Sequence, residues 1–254
     1  MNPRPDSPLA NRFLPSPNHG ERRDGRTPDC VILHYTGMAS GEAALERLCD
    51  PAAEVSCHYV VWEDGRIDQL VAENRRAWHA GASRWKGARD INSRSIGVEL
   101  VNPGHVGGAP APYPVAQIEA AAALCRDVGG RHAIEPERVL AHSDIAPGRK
   151  IDPGEAFPWE RLRELGVGHW ATPARPYPRS PAAREGDTGL RVKVLQSDLA
   201  RYGYDIAVDG AFGPLTRAVV EAFQRHFRRA KADGVADAET IATLRSLLDA
   251  LKAR

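Results

Sequence analysis

Two histidines, three charged side chains and one tight loop hold most of the chemistry that this sequence could perform. The loop is Ala141-His-Ser-Asp-Ile-Ala-Pro-Gly-Arg-Lys-Ile-Asp-Pro-Gly154, with an imidazole at His142, an ammonium at Lys150 and a carboxylate at Asp152. A second imidazole, His34, lies inside the apolar run Cys30-Val-Ile-Leu-His-Tyr35, and a second carboxylate, Glu99, inside Ser95-Ile-Gly-Val-Glu-Leu-Val101. Two imidazole nitrogens and one carboxylate oxygen suit a catalytic zinc that keeps a fourth, tetrahedral position for water. Such an ion lowers the pKa of water to about 7. Glu99 could take the proton of that water, and Lys150 could meet the oxyanion formed when hydroxide attacks a carbonyl. The chemistry would be metal-assisted amide hydrolysis. The same residues admit a plainer reading, a strand histidine satisfied in a core and a solvated Pro-Gly turn.

These groups need elements to position them. The β-branched, apolar run 30–35 predicts a buried strand. Residues 41–49 have helical spacing at Ala44, Leu45 and Leu48, with Ser40 as N-cap. Residues 58–70 read as a hairpin around Asp64-Gly65. Residues 95–101 and 139–142 read as strands, and 115–128 as a helix stopped by Gly129-Gly130. Residues 1–26, rich in Pro, Asn and Arg, read as a flexible arm. Pro173, Pro176, Pro178 and Pro181 mark 167–185 as a semi-rigid linker. Beyond it, 190–202, 214–227 and 238–251 each have helical periodicity, with Asp209-Gly210 and Asp233-Gly234 as turns between them. The division is then an arm at 1–26, a mixed domain at 27–166, a linker at 167–185 and a tethered three-helix module at 186–254.

The 254 residues accommodate one large or two modest domains. With 34 Lys and Arg against 33 Asp and Glu, the net charge is +1, which leaves no electrostatic footprint for nucleic acid or an anionic membrane. No apolar run approaches the ~20 residues of a membrane span. The start of the sequence lacks the apolar core of a secretory signal, so cytoplasmic residence is expected, with the periplasm as the alternative. The cysteines Cys30, Cys49, Cys57 and Cys125 form no C-x-x-C pair, and three of them sit in apolar segments as small hydrophobes.

Five segments together resemble the zinc-dependent N-acetylmuramoyl-L-alanine amidase type 2 family. They are Val31-Ile-Leu-His-Tyr-Thr36, Ser56-Cys-His-Tyr-Val60, Ala77-Trp-His-Ala-Gly81, Ser95-Ile-Gly-Val-Glu99 and the loop from His142 to Gly154. That family shares its fold with peptidoglycan recognition proteins and phage T7 lysozyme. The resemblance implies an α/β domain with a mixed central sheet and flanking helices. It implies His34, His142 and Asp152 as zinc ligands, Glu99 as catalytic carboxylate and Lys150 as transition-state stabiliser. Trp78, His79 and Asn92 fall in the part of the fold beside the cleft, as candidates for contact with glycan or peptide, while His58 reads as structural or as support behind the metal. His19, His105, His132, His169 and His226 lie outside the motifs and read as surface residues. The tail resembles a bacterial peptidoglycan-binding domain through Gly189-Leu-Arg-Val-Lys-Val-Leu-Gln196, Tyr202-Gly-Tyr204, Asp209-Gly-Ala-Phe-Gly213, Thr216 and Ala222-Phe-Gln224. The expected partner is peptidoglycan or a muropeptide, intact or in anhydro form. Two rivals stand beside the amidase: a non-catalytic peptidoglycan sensor of the same fold, and a zinc peptidase that cuts within the stem peptide.

Overall fold

The computed structural model describes residues 4–105, 108–172 and 182–253. The four linker prolines fall outside the described residues. In chain order the elements are β1 (Arg12–Phe13), β2 (His19–Glu21), β3 (Cys30–Tyr35), α1 (Gly41–Cys49), β4 (Tyr59–Val61), β5 (Ile67–Gln69), β6 (Arg75–Ala77), β7 (Ser95–Leu100), α2 (Val115–His132), β8 (Val139–Ala141), α3 (His142–Ile145), α4 (Trp159–Glu164), α5 (Leu190–Tyr202), α6 (Pro214–Phe227) and α7 (Ala238–Lys252). Contacts divide the chain into two compact units. The first is Met1–Ser83, Asp90–His142 and Asp152–Gly168, and the second is Arg84–Arg89, Ser143–Ile151 and His169–Arg254.

The first unit is built on a mixed sheet in the order β1-β5-β4-β7-β3-β8. Only β4 and β5, the expected hairpin, run antiparallel; the other neighbours are parallel. The central strands are apolar on both faces, as a parallel sheet covered by helices requires. α2 packs on β3 and β4 through a face that includes Ile118, Ala121, Leu124 and Cys125. Ser40 caps α1 as expected, its hydroxyl accepting from Ala43 N–H. Cys30, Cys57 and Cys125 are buried and free. Among the described residues, no helix is long and apolar enough to cross a membrane.

Two local expectations give way to tertiary contacts. Residues 4–26 are not a loose arm. β1 pairs with β5, β2 pairs with β6, and Ser7, Ser16, Asn18 and Arg22 are buried. The arm is held by polar side chains that serve distant backbone, which composition does not reveal. Asn18 donates to Asp50 and Val55 carbonyls, and Arg22 to those of Glu73, Asn92 and Ser95. Nor do Gly129 and Gly130 stop α2. The helix runs on to His132, because Arg131 and His132 both reach the buried carboxylate of Glu73. Ala133, at φ +52°, takes the left-handed cap position instead.

In the second unit, α5, α6 and α7 fulfil the three-helix expectation, and one corner is built twice. The Gln196 side chain donates to Asp209 Oδ1, the Ala211 carbonyl and Thr216 Oγ1, while its oxygen accepts from Gly210 N–H. Gln224 repeats each contact with Asp233, Val235, Thr240 and Gly234. Each turn places its glycine at positive φ, +82° at Gly210 and +74° at Gly234, where a side chain would be strained. The unit also contains Ser143–Ile151, which the sequence reading assigned to the first domain. The reason is the fully buried Asp144. It accepts from the Tyr204 hydroxyl at 2.7 Å and pairs with His226 Nδ1 at 2.6 Å. His226, and His169 against the Tyr202 hydroxyl, are therefore interior residues rather than surface ones.

Candidate metal centre

Register decides which side chains share a face. β3 pairs in parallel with β7, so that His34 stands beside Glu99, and with β8, so that Leu33 stands beside Ala141. His34 and Glu99 therefore emerge on the same side of the sheet. His142 follows Ala141 at the carboxyl end of β8, level with His34, where the chain leaves the strand. This is the edge at which parallel strands commonly assemble a site. Asp152 returns at the far end of the intervening loop. The backbone just beyond it is pinned, since the Tyr113 hydroxyl donates to the Pro153 carbonyl at 2.7 Å. Gly154, at φ +78°, lies where a Cβ would come 2.9 Å from the His105 ring. His105 in turn pairs with Glu155 at 2.7 Å, so it too has a structural partner.

Three ligand-type atoms meet here. His34 Nδ1 lies 2.9 Å from His142 Nδ1 and 3.0 Å from Asp152 Oδ2, and His142 Nδ1 lies 2.9 Å from the same oxygen. All three residues are buried. Burial alone would raise the Asp152 pKa, but the facing imidazoles of His142 and His34 outweigh it and hold the carboxyl well below the usual range. The group is thus an anion facing two imidazole nitrogens, a donor set that fits a divalent cation with N and O preference.

The outward nitrogens are also engaged. His34 Nε2 is 3.0 Å from His79 Nδ1, and His79 Nε2 is 3.0 Å from Ser95 Oγ. His142 Nε2 is 3.2 Å from the Ala80 carbonyl. Burial, reinforced by the imidazoles of His34, His58 and His142 and by Arg22, pushes the His79 pKa well below its ordinary value. Asn92 is buried, and its Oδ1 accepts from the backbone N–H groups of His79 and Ala80. Two of the three residues expected beside substrate therefore stand behind the trio His34, His142 and Asp152. Trp78 is half-buried, with its backbone bonded to Ser56. His58 serves the scaffold: its Nδ1 accepts from Gly97 N–H, and burial together with Arg22 pushes its pKa down to about 3. Lys150 lies on the Ser143–Ile151 segment, its backbone N–H on the Ala146 carbonyl. Ser95, Gly97 and the Ala80 carbonyl were not singled out from sequence. The small-residue pattern Ser95-Ile-Gly97 beside Glu99 was their only trace.

Comparison with known proteins identifies the family. The profile of the N-acetylmuramoyl-L-alanine amidase family matches residues 24–155, and that of a family of peptidoglycan binding domains matches 188–244. The N-acetylmuramoyl-L-alanine amidase AmiD of Escherichia coli is 42% identical over 231 residues, 86% of this chain and 82% of that protein. This chain belongs to the N-acetylmuramoyl-L-alanine amidase family. Solved structures cover most of its length. AmiD of E. coli, in complex with the substrate anhydro-N-acetylmuramic acid-L-Ala-D-gamma-Glu-L-Lys, superposes with a TM-score of 0.77 at 40% identity, covering 88% of this chain and 89% of that one. AmpDh3 of Pseudomonas aeruginosa, in complex with anhydromuramic pentapeptide, gives 0.77 at 32% identity over 93% and 95%. The chain is an amidase, with an α/β catalytic fold and a helical peptidoglycan-binding domain.

Proposed function

We propose that this amidase is zinc-dependent and cleaves the amide between the lactyl group of N-acetylmuramic acid, or its anhydro form, and L-alanine of the stem peptide. The buried convergence of His34 Nδ1, His142 Nδ1 and Asp152 Oδ2 within 3.0 Å of one another carries this reading. Those three residues would hold the metal. Bound zinc supplies Lewis acidity and brings the pKa of water to about 7. Glu99, beside His34 in register, takes a proton from the attacking water and returns it to the leaving amine. Lys150, two residues before Asp152, offers a cation to the oxyanion that develops on the lactyl carbonyl. Trp78 is proposed as a wall of the groove that receives glycan or peptide.

The relatives crystallised with anhydromuramyl peptides support a soluble or anhydro-muropeptide substrate, and the second domain supports contact with polymeric wall. That domain presents a groove of about 340 Å³ whose lining includes Leu190, Val194 and Ile241 together with Arg191, Asp198 and Arg245. A mainly apolar lining with a few charged groups suits a sugar-peptide ligand. Mass spectrometry of products from intact sacculi and from anhydro-muropeptides, run side by side, tests the proposal. An intact peptide beginning with L-alanine is expected. Fragments cut within the stem would favour the peptidase reading, and binding without products the sensor reading.

A further inference from the structure

The hydrogen bonds behind the metal centre can be followed proton by proton. A carbonyl oxygen only accepts, so the Ser95 hydroxyl must donate to the Ile91 carbonyl, 2.8 Å away. Its single proton is thereby used, and toward His79 Nε2 the same oxygen acts as acceptor. His79 Nε2 then bears the hydrogen. In a neutral ring this leaves Nδ1 as an acceptor, and the atom that faces it is His34 Nε2. His34 is thus protonated at Nε2 and presents the lone pair of Nδ1 to Asp152 and His142. The second histidine reaches the same state by a shorter route. His142 Nε2 donates to the Ala80 carbonyl, and its Nδ1 lone pair points to the same place.

Both acceptors, the His79 ring and the Ala80 carbonyl, belong to consecutive residues whose backbone N–H groups end on one atom, Asn92 Oδ1, at 3.1 and 2.8 Å. Space for the ring is provided by β7. A Cβ on Gly97 would come 2.5 Å from His79 Cγ, although its backbone is not left-handed, so the glycine is there for room.

We infer that His79, with Ser95 and Asn92 behind it, is a positioning residue that sets the tautomer of His34 and so turns Nδ1 toward the metal, rather than a substrate contact. This rests on the reading that the trio holds a metal ion. Outer partners of ligating histidines commonly govern affinity by 10–100-fold.

Zinc affinity of the full chain, measured by competition with a chromogenic chelator, tests it. His79→Leu fills the space without an acceptor and should bind zinc about 10–100-fold more weakly. His79→Asn carries its oxygen on the same Cγ that bears Nδ1 and should recover most of the affinity, which a merely space-filling role would not produce. Long-range proton–nitrogen spectra of the zinc-loaded wild type should show His34 protonated at Nε2. Should His79→Leu fail to fold, Ser95→Ala and Ser95→Thr take its place; only the hydroxyl-free variant should weaken zinc binding. Equal affinities for His79→Leu and His79→Asn, equal affinities for the two Ser95 variants, or a His34 protonated at Nδ1 would overturn the inference. A wild-type chain without zinc affinity would instead overturn the metal reading on which it stands.

Discussion

Gln224 and His34 are both buried polar side chains on regular elements, one on α6 and the other on β3. Every polar atom of Gln224 ends on a complementary group. Its nitrogen meets Asp233, Val235 and Thr240, and its oxygen meets Gly234. His34 satisfies Nε2 in the same manner, on His79, but aims Nδ1 at an imidazole nitrogen and a carboxylate oxygen. A network that closes on itself stabilises a corner, which is why the second unit can use it twice. A network that leaves acceptor-type atoms converging is costly in folding terms, and a fold retains it where it serves a function. Glu73 sharpens the contrast within the first unit. It is buried and charged, yet closed by Tyr59, Arg131 and His132. Burial and charge alone therefore do not mark the site.

If that contrast is right, variants of the open cluster should abolish chemistry with little effect on folding, and variants of the closed ones should do the reverse. The largest effect is expected for His142→Ala. The purified protein should lose most of its zinc, about one ion per chain in the wild type, and with it all measurable turnover. Full zinc content by elemental analysis after mild chelation would remove His142 from the site. Next comes Glu99→Gln, which keeps shape and zinc but removes the base. Here kcat should fall by roughly 10²–10⁴, and near-normal kcat would reassign the proton transfer.

Gln224→Leu should leave zinc affinity intact but cost about 2–4 kcal/mol of the second unit's stability, through stranded partners around the Asp233-Gly234 turn. Urea denaturation read from the second unit's aromatics measures this. An effect of about the same size concerns acid. Burial alone would raise the Glu73 pKa, but hydrogen bonds from Arg131, Tyr59 and His132 outweigh it and lower the value from 4.5 to about 2. A carboxylate depressed in the folded state stabilises fully above its unfolded pKa and loses that contribution as pH falls through the folded one. Between pH ~4.5 and ~2, Glu73 should therefore forfeit about 3 kcal/mol. The acid-induced loss should shrink by that amount in Glu73→Gln, and an identical acid profile in variant and wild type would show that the network is not closed as described.

By itself the sequence determined the elements whose periodicity is local. β3, the β4–β5 hairpin, α1 with its Ser40 cap and the three helices of the second unit were all legible, because each depends on spacing within a single segment. It also named the trio His34, His142 and Asp152, since those residue types in those motifs resemble one family closely. Tertiary structure alone decided the rest. That Glu99 stands beside His34 depends on the register of β3 against β7, and a slip of one residue would send it to the other face. That His79 and Asn92 stand behind the trio, and that Ser95 and Gly97 matter at all, depends on contacts between separate segments which no local pattern encodes. The ordering of residues 4–26, the continuation of α2 through two glycines and the burial of His226 have the same origin. Each is held by a partner tens of residues away, as Arg22 is by Ser95, Arg131 by Glu73 and His226 by Asp144. Periodicity reports how a segment can bury its own apolar face. Which distant polar group completes a buried charge is settled only when the whole chain has closed around it.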